Sequence, residues 1–285
     1  MEFSTNLILL ITFEHSCVSI EDDEDMTIGC IVQARMGSTR LPGKVLMEVI
    51  EGKPVLYYVI NQLKYCKSFE KLIIATTTLP EDDKIVQFCT DNNVNYFRGD
   101  SKNVLERHYK CAEKFSLSTI IRMPSDKPLL DPEVVDKVVN TFNTNSYDYV
   151  ANFLPPTFPS GTEVEIFSFD SLKKAWEKAM LSSEKEHVTE YIYNHRDDFR
   201  IFNVVNSENL SNFRWAVDRI EDLRLVREIV SRIPKSPILI KDILELFKNE
   251  PSLTKINNQV DGSEGDTRSE KEDKEFRESK SVKTN

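Results

Sequence analysis

Ile28-Gly29-Cys30-Ile31-Val32 runs directly into Gln33-Ala34-Arg35-Met36-Gly37-Ser38-Thr39-Arg40-Leu41-Pro42-Gly43-Lys44. The unbroken apolar run reads as a buried strand, and the polar stretch after it reads as the loop leaving that strand's C-terminal end. Open α/β sheets bind their ligands at that edge. Glycine lets backbone amides approach phosphate oxygens closely, while Arg35, Arg40 and Lys44 bring charge suited to a polyphosphate. The loop is not a Walker sequence, because five residues separate Gly37 from Gly43 and Val45 follows Lys44. It is not GxGxxG either.

Working outward, Pro54 to about Cys66 places Val55, Val59, Ile60 and Leu63 on one helical face. Leu72–Ala75, Val94–Phe97 and Thr119–Met123 read as further strands. Helices are expected from Pro80, with Glu81, Asp82 and Asp83 complementing the helix dipole, from Asn103 to Phe115, and after Asp131-Pro132-Glu133, a cap followed by proline. Strands alternating with helices at this spacing predict an α/β domain with a doubly wound, mostly parallel sheet. The second half is less regular. Strands are expected at Tyr147–Ala151, Glu163–Phe169 and Ile201–Val205, helices at Ser171–Ala179, Glu186–His195, Ile220–Ile233 and Ile238–Phe247, and a further strand ending at Asp218. The loop holding Pro155, Pro156, Pro159 and Gly161 suits a substrate lid or a plain connector.

The composition, with 40% hydrophobic residues, eight Gly and five Cys in 285, excludes collagen, a disulfide scaffold and a wholly disordered chain. The net charge of −10 is unevenly placed. Residues 1–26 carry seven acids and no Lys or Arg, residues 250–285 carry nine acids and seven bases, and the stretch between them has 31 acids and 30 bases. The expected organisation is therefore an acidic leader over 1–26, one domain over 27–249 and a disordered polar tail over 250–285. The apolar run Leu7–Ile11 lacks the basic flank and cleavage site of a secretory signal and is too short to span a bilayer, so the leader is expected to be a disordered or mis-started, dispensable extension, with a membrane-surface anchor as the alternative. Five widely spaced cysteines without CxxC argue for free thiols in a reducing cytoplasm. The absence of a basic run or basic aromatic stripe argues against nucleic acid as a partner.

Residues 31–46 resemble the opening signature of the KDO and acylneuraminate cytidylyltransferase family, in the form of its SpsF-like branch of spore-coat polysaccharide proteins. Further segments are similar to later blocks of that family in the same order: Ala75-Thr76-Thr77 with Asp82-Asp83, Phe97–Asp100 with Val104–Arg107, Arg122–Pro132, Gly161–Ser168, Glu186–Thr189, and Arg214–Asp218 with Glu221–Leu223. Two departures stand out. Glu106 occupies a position where the family has Asp, and Ser125 and Lys127 flank Asp126 where Gly or Ala and Cys are usual.

The resemblance implies a Rossmann-like, GT-A-like nucleotidyltransferase fold in a single domain. It implies a reaction in which CTP and an acidic sugar of the sialic, legionaminic, pseudaminic or KDO type give a CMP-sugar and pyrophosphate. It also implies Mg²⁺ on Asp126 and Asp218, with Arg35 and Lys44 completing the catalytic set, and a homodimer of the kind the family forms. Ala34, Arg35, Gly37, Ser38, Arg40, Lys44, Thr76 and Thr77 are the nucleotide-binding candidates. Arg122, Lys127, Glu163, Glu165 and His187 are the sugar-side candidates. Local alternatives stay open: Asp218 as a turn former, Arg40 as the partner of an acid, Lys127 as a solvent-facing lysine and His187 as a structural histidine. Other functions compatible with the residues are transfer to a phosphonate, glycosyl transfer on the same fold, and a non-catalytic nucleotide-binding scaffold.

Overall fold

The computed structural model of the chain describes residues 27–260 and 273–274; the leader and most of the expected tail lie outside the described residues. The elements follow in chain order. Strand β1 (Ile28–Gln33) is followed by a hairpin of β2 (Glu48–Ile50) and β3 (Lys53–Pro54), then helix α1 (Val55–Leu63), β4 (Lys71–Thr77) and α2 (Asp83–Asp91). Next come β5 (Asn95–Gly99), α3 (Val104–Lys114), β6 (Thr119–Pro124), α4 (Pro132–Asn143), β7 (Tyr149–Ala151) and β8 (Glu165–Ser168). Helices α5 (Phe169–Lys178), α6 (Ser182–His187) and α7 (Glu190–Asn194), strand β9 (Ile201–Asn203), α8 (Ile220–Arg232) and α9 (Ile240–Asn249) complete the series.

Seven strands form one sheet in the order β5-β4-β1-β6-β8-β7-β9. Only β8 runs against its neighbours, so the sheet is mostly parallel. Successive residues of each strand face opposite sides and are buried by different helices. Cys30, Val32, Ile74, Ile121 and Met123 pack with Leu56, Val59, Ile85, Val135 and Val138 on one face. Ile31, Ile73, Ala75 and Ile120 pack with Leu105, Ala112, Leu172 and Ile192 on the other. This is the doubly wound α/β domain expected. The four described cysteines are free, and burial pushes the Cys89 and Cys111 thiols up to about 12.

A third cluster joins Val49, Val55 and Tyr58 to Trp215, Val217 and the inner faces of α8 and α9. It corrects two expectations. Residues 214–218 are not a strand: their only β-type pairing is an isolated bridge, Ser160 to Arg214, and the Val217 amide donates to the Asp126 carbonyl at 2.8 Å rather than to a ladder partner. The segment is a buried loop pinned by Trp215, so its apolar pattern reflects packing rather than a sheet. The order also extends past residue 249. Pro251–Lys255 form a 3-10 turn with Leu253 buried against α8 and α9, and Asn257 is buried as well. The segment reads as tail by composition, yet Leu253 and Ile256 both pack into this cluster. The single helix expected over Glu186–His195 is two short ones, broken at Val188, whose φ is 64°.

Candidate active site

Three loops meet where the parallel strands end. Residues 34–44 leave β1, Ser125 and Asp126 leave β6, and the loop 214–218 lies beside them. Strand β8, being antiparallel, brings its first residue, Glu165, to the same edge, opposite Arg122 of β6 and Ala151 of β7. An open cavity of about 620 Å³ lies over this edge, a size suited to a small substrate. Seven Lys or Arg side chains and five carboxylates line it.

At its centre, Lys44 Nζ donates to Asp126 Oδ2 at 2.9 Å, Asp218 Oδ1 at 2.9 Å and the Val217 carbonyl at 2.8 Å. Gly43 makes this possible: its φ of 73° turns the chain so that Lys44 opens a 3-10 turn facing the strand ends. Asp218 also accepts from Arg40 and from Arg214 Nη2, the latter at 2.6 Å. Burial alone would raise the Asp218 carboxyl, but Lys44, Arg40 and Arg214 together hold it well below the usual carboxylate range. Burial likewise opposes the charge on Lys44, and the two aspartates overcome it and raise its pKa. Both groups are therefore charged at neutral pH, and two carboxylates converge on one cation.

The loop after β1 is braced from behind. Asp82 is buried, accepts the Met36 amide at 2.7 Å and accepts the Thr77 hydroxyl. Thr76 and Thr77 are wholly buried and do not line the cavity, against their expected place as nucleotide contacts; Thr77 instead supports the loop through Asp82, and the Thr76 hydroxyl makes no hydrogen bond among the described residues. Gly37 also lies off the cavity, against Glu81. Ala34, Arg35, Ser38, Arg40 and Lys44 do line it. Arg35 is half-exposed and faces Glu186 at 3.5 Å. Arg40 is both a cavity residue and the partner of an acid, so its two alternatives coincide.

All five sugar-side candidates line the cavity. Arg122 pairs with Glu165 at 2.5 Å and donates through Nε to Gln33 at 3.1 Å; Glu165 also accepts from Tyr149 at 2.8 Å and from the Thr189 hydroxyl. Lys127 is not solvent-facing. It is buried and donates to the Glu163 carbonyl at 2.8 Å, with the Glu163 carboxylate at 3.0 Å. Burial would raise the Glu163 carboxyl, and Lys127 pulls it below its ordinary value. His187 closes α6 at the cavity wall.

Two cavity arginines were given no role from sequence. Arg214 bridges Asp218 and Asp222, and its i,i+4 spacing to Asp218 is the signal that marks it. Arg107 is buried beside Arg35 and donates to the Asp100 carbonyl at 2.6 Å. Burial, and next Arg35, pull it down to about 10. Its sequence gives no such signal, because a helix position four residues past Asn103 reads equally well as surface.

Residues 29–262 match the cytidylyltransferase family. The chain belongs to that family. This cytidylyltransferase is 35% identical to the uncharacterized protein MJ1063 of Methanocaldococcus jannaschii over 82% of its own length and 96% of the relative's. It is 30% identical to the spore coat polysaccharide biosynthesis protein SpsF of Bacillus subtilis, over 78% of its length and 94% of the relative's. The solved structure of a cytidylyltransferase from Leptospira borgpetersenii superposes with a TM-score of 0.77 at 30% identity, covering 80% of this chain and 97% of that one. The expected SpsF-like branch and nucleotidyltransferase fold are thus both borne out. Among the described residues of this cytidylyltransferase, no helix is long and apolar enough to cross a membrane.

Proposed function

We propose that the chain transfers CMP from CTP to an acidic sugar, releasing pyrophosphate, in the synthesis of a surface polysaccharide. The observation that carries this reading is the convergence of Asp126 and Asp218 on Lys44 at the sheet edge of a cytidylyltransferase, in a cavity with more cations than carboxylates. A chain of net charge −10 thus presents a locally basic cavity, as two anionic substrates require.

The pair fits Mg²⁺. Both donors are hard carboxylate oxygens facing one point, and Mg²⁺ takes one or two carboxylates with the remaining positions filled by phosphates and water. Among the described residues no group of three or more His, Cys, Asp or Glu is gathered for a metal, and in this reading Asp126 and Asp218 would be the protein's share. Mg²⁺ held there would neutralise triphosphate charge as it develops on the leaving group.

The chain's own residues do the rest. A sugar hydroxyl gives up its proton to solvent and attacks the α-phosphorus, a new O–P bond forms, and the α–β bridge breaks to free pyrophosphate. Lys44, Arg35 and Arg40 hold the triphosphate in line and offset its charge, which is most of what this chemistry needs. Glu163, Glu165 and His187, with Arg122 and Lys127, offer donors and acceptors for the hydroxyls and carboxylate of the sugar. The four free thiols among the described residues suit the cytoplasm, and a homodimer, measurable by sedimentation, is part of the same reading.

A pyrophosphate-release screen of four nucleoside triphosphates against sialic-, legionaminic-, pseudaminic- and KDO-type acids tests the proposal. The expected result is release with CTP, dependent on Mg²⁺ and on one acid. Release that ignores the acceptor, or that needs a phosphonate or neutral sugar instead, would overturn it.

A further inference from the structure

The aspartate that carries most of the site's electrostatics stands on the least regular piece of chain in it. Residues 214–218 gain nothing from the sheet ladder, so other groups must fix where Asp218 points. Arg40, Lys44 and Arg214 hold its carboxylate, and the group that holds its backbone is Asp222, in the first turn of α8. It is wholly buried, and its Oδ2 accepts the Asp218 amide at 2.9 Å and the Arg219 amide at 3.0 Å. Its Oδ1 takes Arg214 Nε at 3.3 Å. A buried carboxylate holds its orientation only while its lone pairs are filled, and the shortest contact it makes comes from elsewhere in the chain: Asn257 Nδ2 donates to Oδ1 at 2.8 Å.

The geometry points to Asn257 as a positioning residue for Asp218, acting through Asp222 from the C-terminal segment. An amide has two N–H donors, and Asn257 uses its group on both ends of the loop: Asp222 Oδ1 at the far end and the Arg214 carbonyl, at 3.2 Å, at the near end. It thereby clips residues 214 and 222 together and fixes the loop that carries Asp218 between them. Asn257 itself is held in place because Leu253 and Ile256 pack on α8 and α9, which gives this short segment, polar in composition, a reason to be folded. The side chain does not line the active cavity. It contributes by keeping Asp218 in register with Asp126 and Lys44.

The kinetic part of the inference rests on the proposed role of Asp218; the structural part does not. Two measurements on Asn257→Ala separate them. Hydrogen exchange read at the Asp218 and Arg219 amides is expected to quicken about tenfold, because their shared acceptor is loosened. Turnover at saturating CTP and sugar is expected to fall about tenfold with KM for CTP changed less than twofold, since alignment rather than nucleotide binding is lost. A double-mutant cycle with Asp222→Asn adds the path of the effect: once Asp222 is altered, removing Asn257 should cost less than twofold more. If the Asp222 variant does not fold, the exchange and turnover measurements on Asn257→Ala still decide. Unchanged exchange at Asp218 overturns the inference, as does a turnover loss that vanishes when both proteins are assayed equally far below their melting temperatures. Faster exchange in a chain that turns over no CTP would leave the clip standing and refute the proposed function instead.

Discussion

Replacing Lys44 by Met separates a phosphate-binding lysine from one that only balances two acids. The ammonium makes three contacts of 2.8–2.9 Å, two of them to carboxylates. Hydrogen bonds to charged groups contribute about 1.5–3 kcal/mol each, but both acids keep other means of solvation. The Asp126 side chain is 24% exposed, and Asp218 retains Arg40 and Arg214. A net stability loss of about 2 kcal/mol follows, or roughly 4–8 °C in melting temperature for a domain of this size. The loss should be flat in the neutral range. Asp218 is lowered, so its share is present above the unfolded carboxylate value and fades only in strong acid; Lys44 is raised, so its share is present below the ordinary lysine value and fades only in strong base. Calorimetric titration without metal then compares CTP with CMP. Loss of an ammonium–phosphate contact of about 1.5–3 kcal/mol predicts CTP binding weakened by roughly 10- to 100-fold and CMP binding weakened far less. Lys44→Arg should not rescue, because a planar fork cannot meet three acceptors grouped around one nitrogen. Undiminished CTP affinity in a destabilised Lys44→Met protein would refute the phosphate role and leave a structural counter-ion.

Asp126→Ala and Asp218→Ala should each lower Mg²⁺-dependent pyrophosphate release by about 10³-fold or more, and wild-type turnover in either ends the metal assignment. His108 is wholly buried and held down to about 3, chiefly by burial and next by Arg122. The unfolded chain binds this proton near pH 6.5 and the native one does not, so stability drains away as pH falls. From pH 7 to pH 5 this single group accounts for about 2 kcal/mol, and chemical denaturation of His108→Gln should lack that increment. Gly161 has φ +105°, and a Cβ there would lie 2.7 Å from the Ala216 amide nitrogen. Gly161→Ala should therefore cost about 2 kcal/mol or more and reduce turnover by displacing the loop of Asp218, and a variant as stable and active as the parent would show that the contact is easily relieved.

Legibility from sequence follows the range of the interaction. The strand Ile28–Gln33, the amphipathic face of Val55–Leu63 and the cap at Asp131, whose side chain accepts the Glu133 amide at 2.8 Å, are local and were readable from spacing. The hairpin β2–β3 was not, because Glu48–Ile50 and Lys53–Pro54 are too short for a period to register. Thr76 and Thr77 end a strand at the ligand edge, which is where nucleotide contacts belong, yet the demand of the neighbouring loop for an anchored Asp82 turns Thr77 inward. A solvent-facing Lys127 stayed open as an alternative because its partner, Glu163, lies 36 residues away, while the nearby acids Asp126 and Asp131 are engaged by Lys44 and by backbone amides.

The charge distribution carries this further than residue identity does. Splitting −10 into acidic ends and a near-neutral body was possible from sequence, but neutrality of the body conceals how its charges are sorted. Around Asp218 three cations converge on one carboxylate, while Asp222, four residues on, takes amide protons, Arg214 and Asn257. Those two aspartates are the same residue type only four positions apart. One faces the cavity and is tied to Lys44, placing it to trade cationic partners for substrate and metal; the other is sealed behind it, so that its contacts stay fixed when those partners change. A site that must bind a highly charged nucleotide and still hold its geometry needs both kinds of acid. Charge reversal at Asp222 should then disable the enzyme as thoroughly as at Asp218, although only Asp218 borders the cavity.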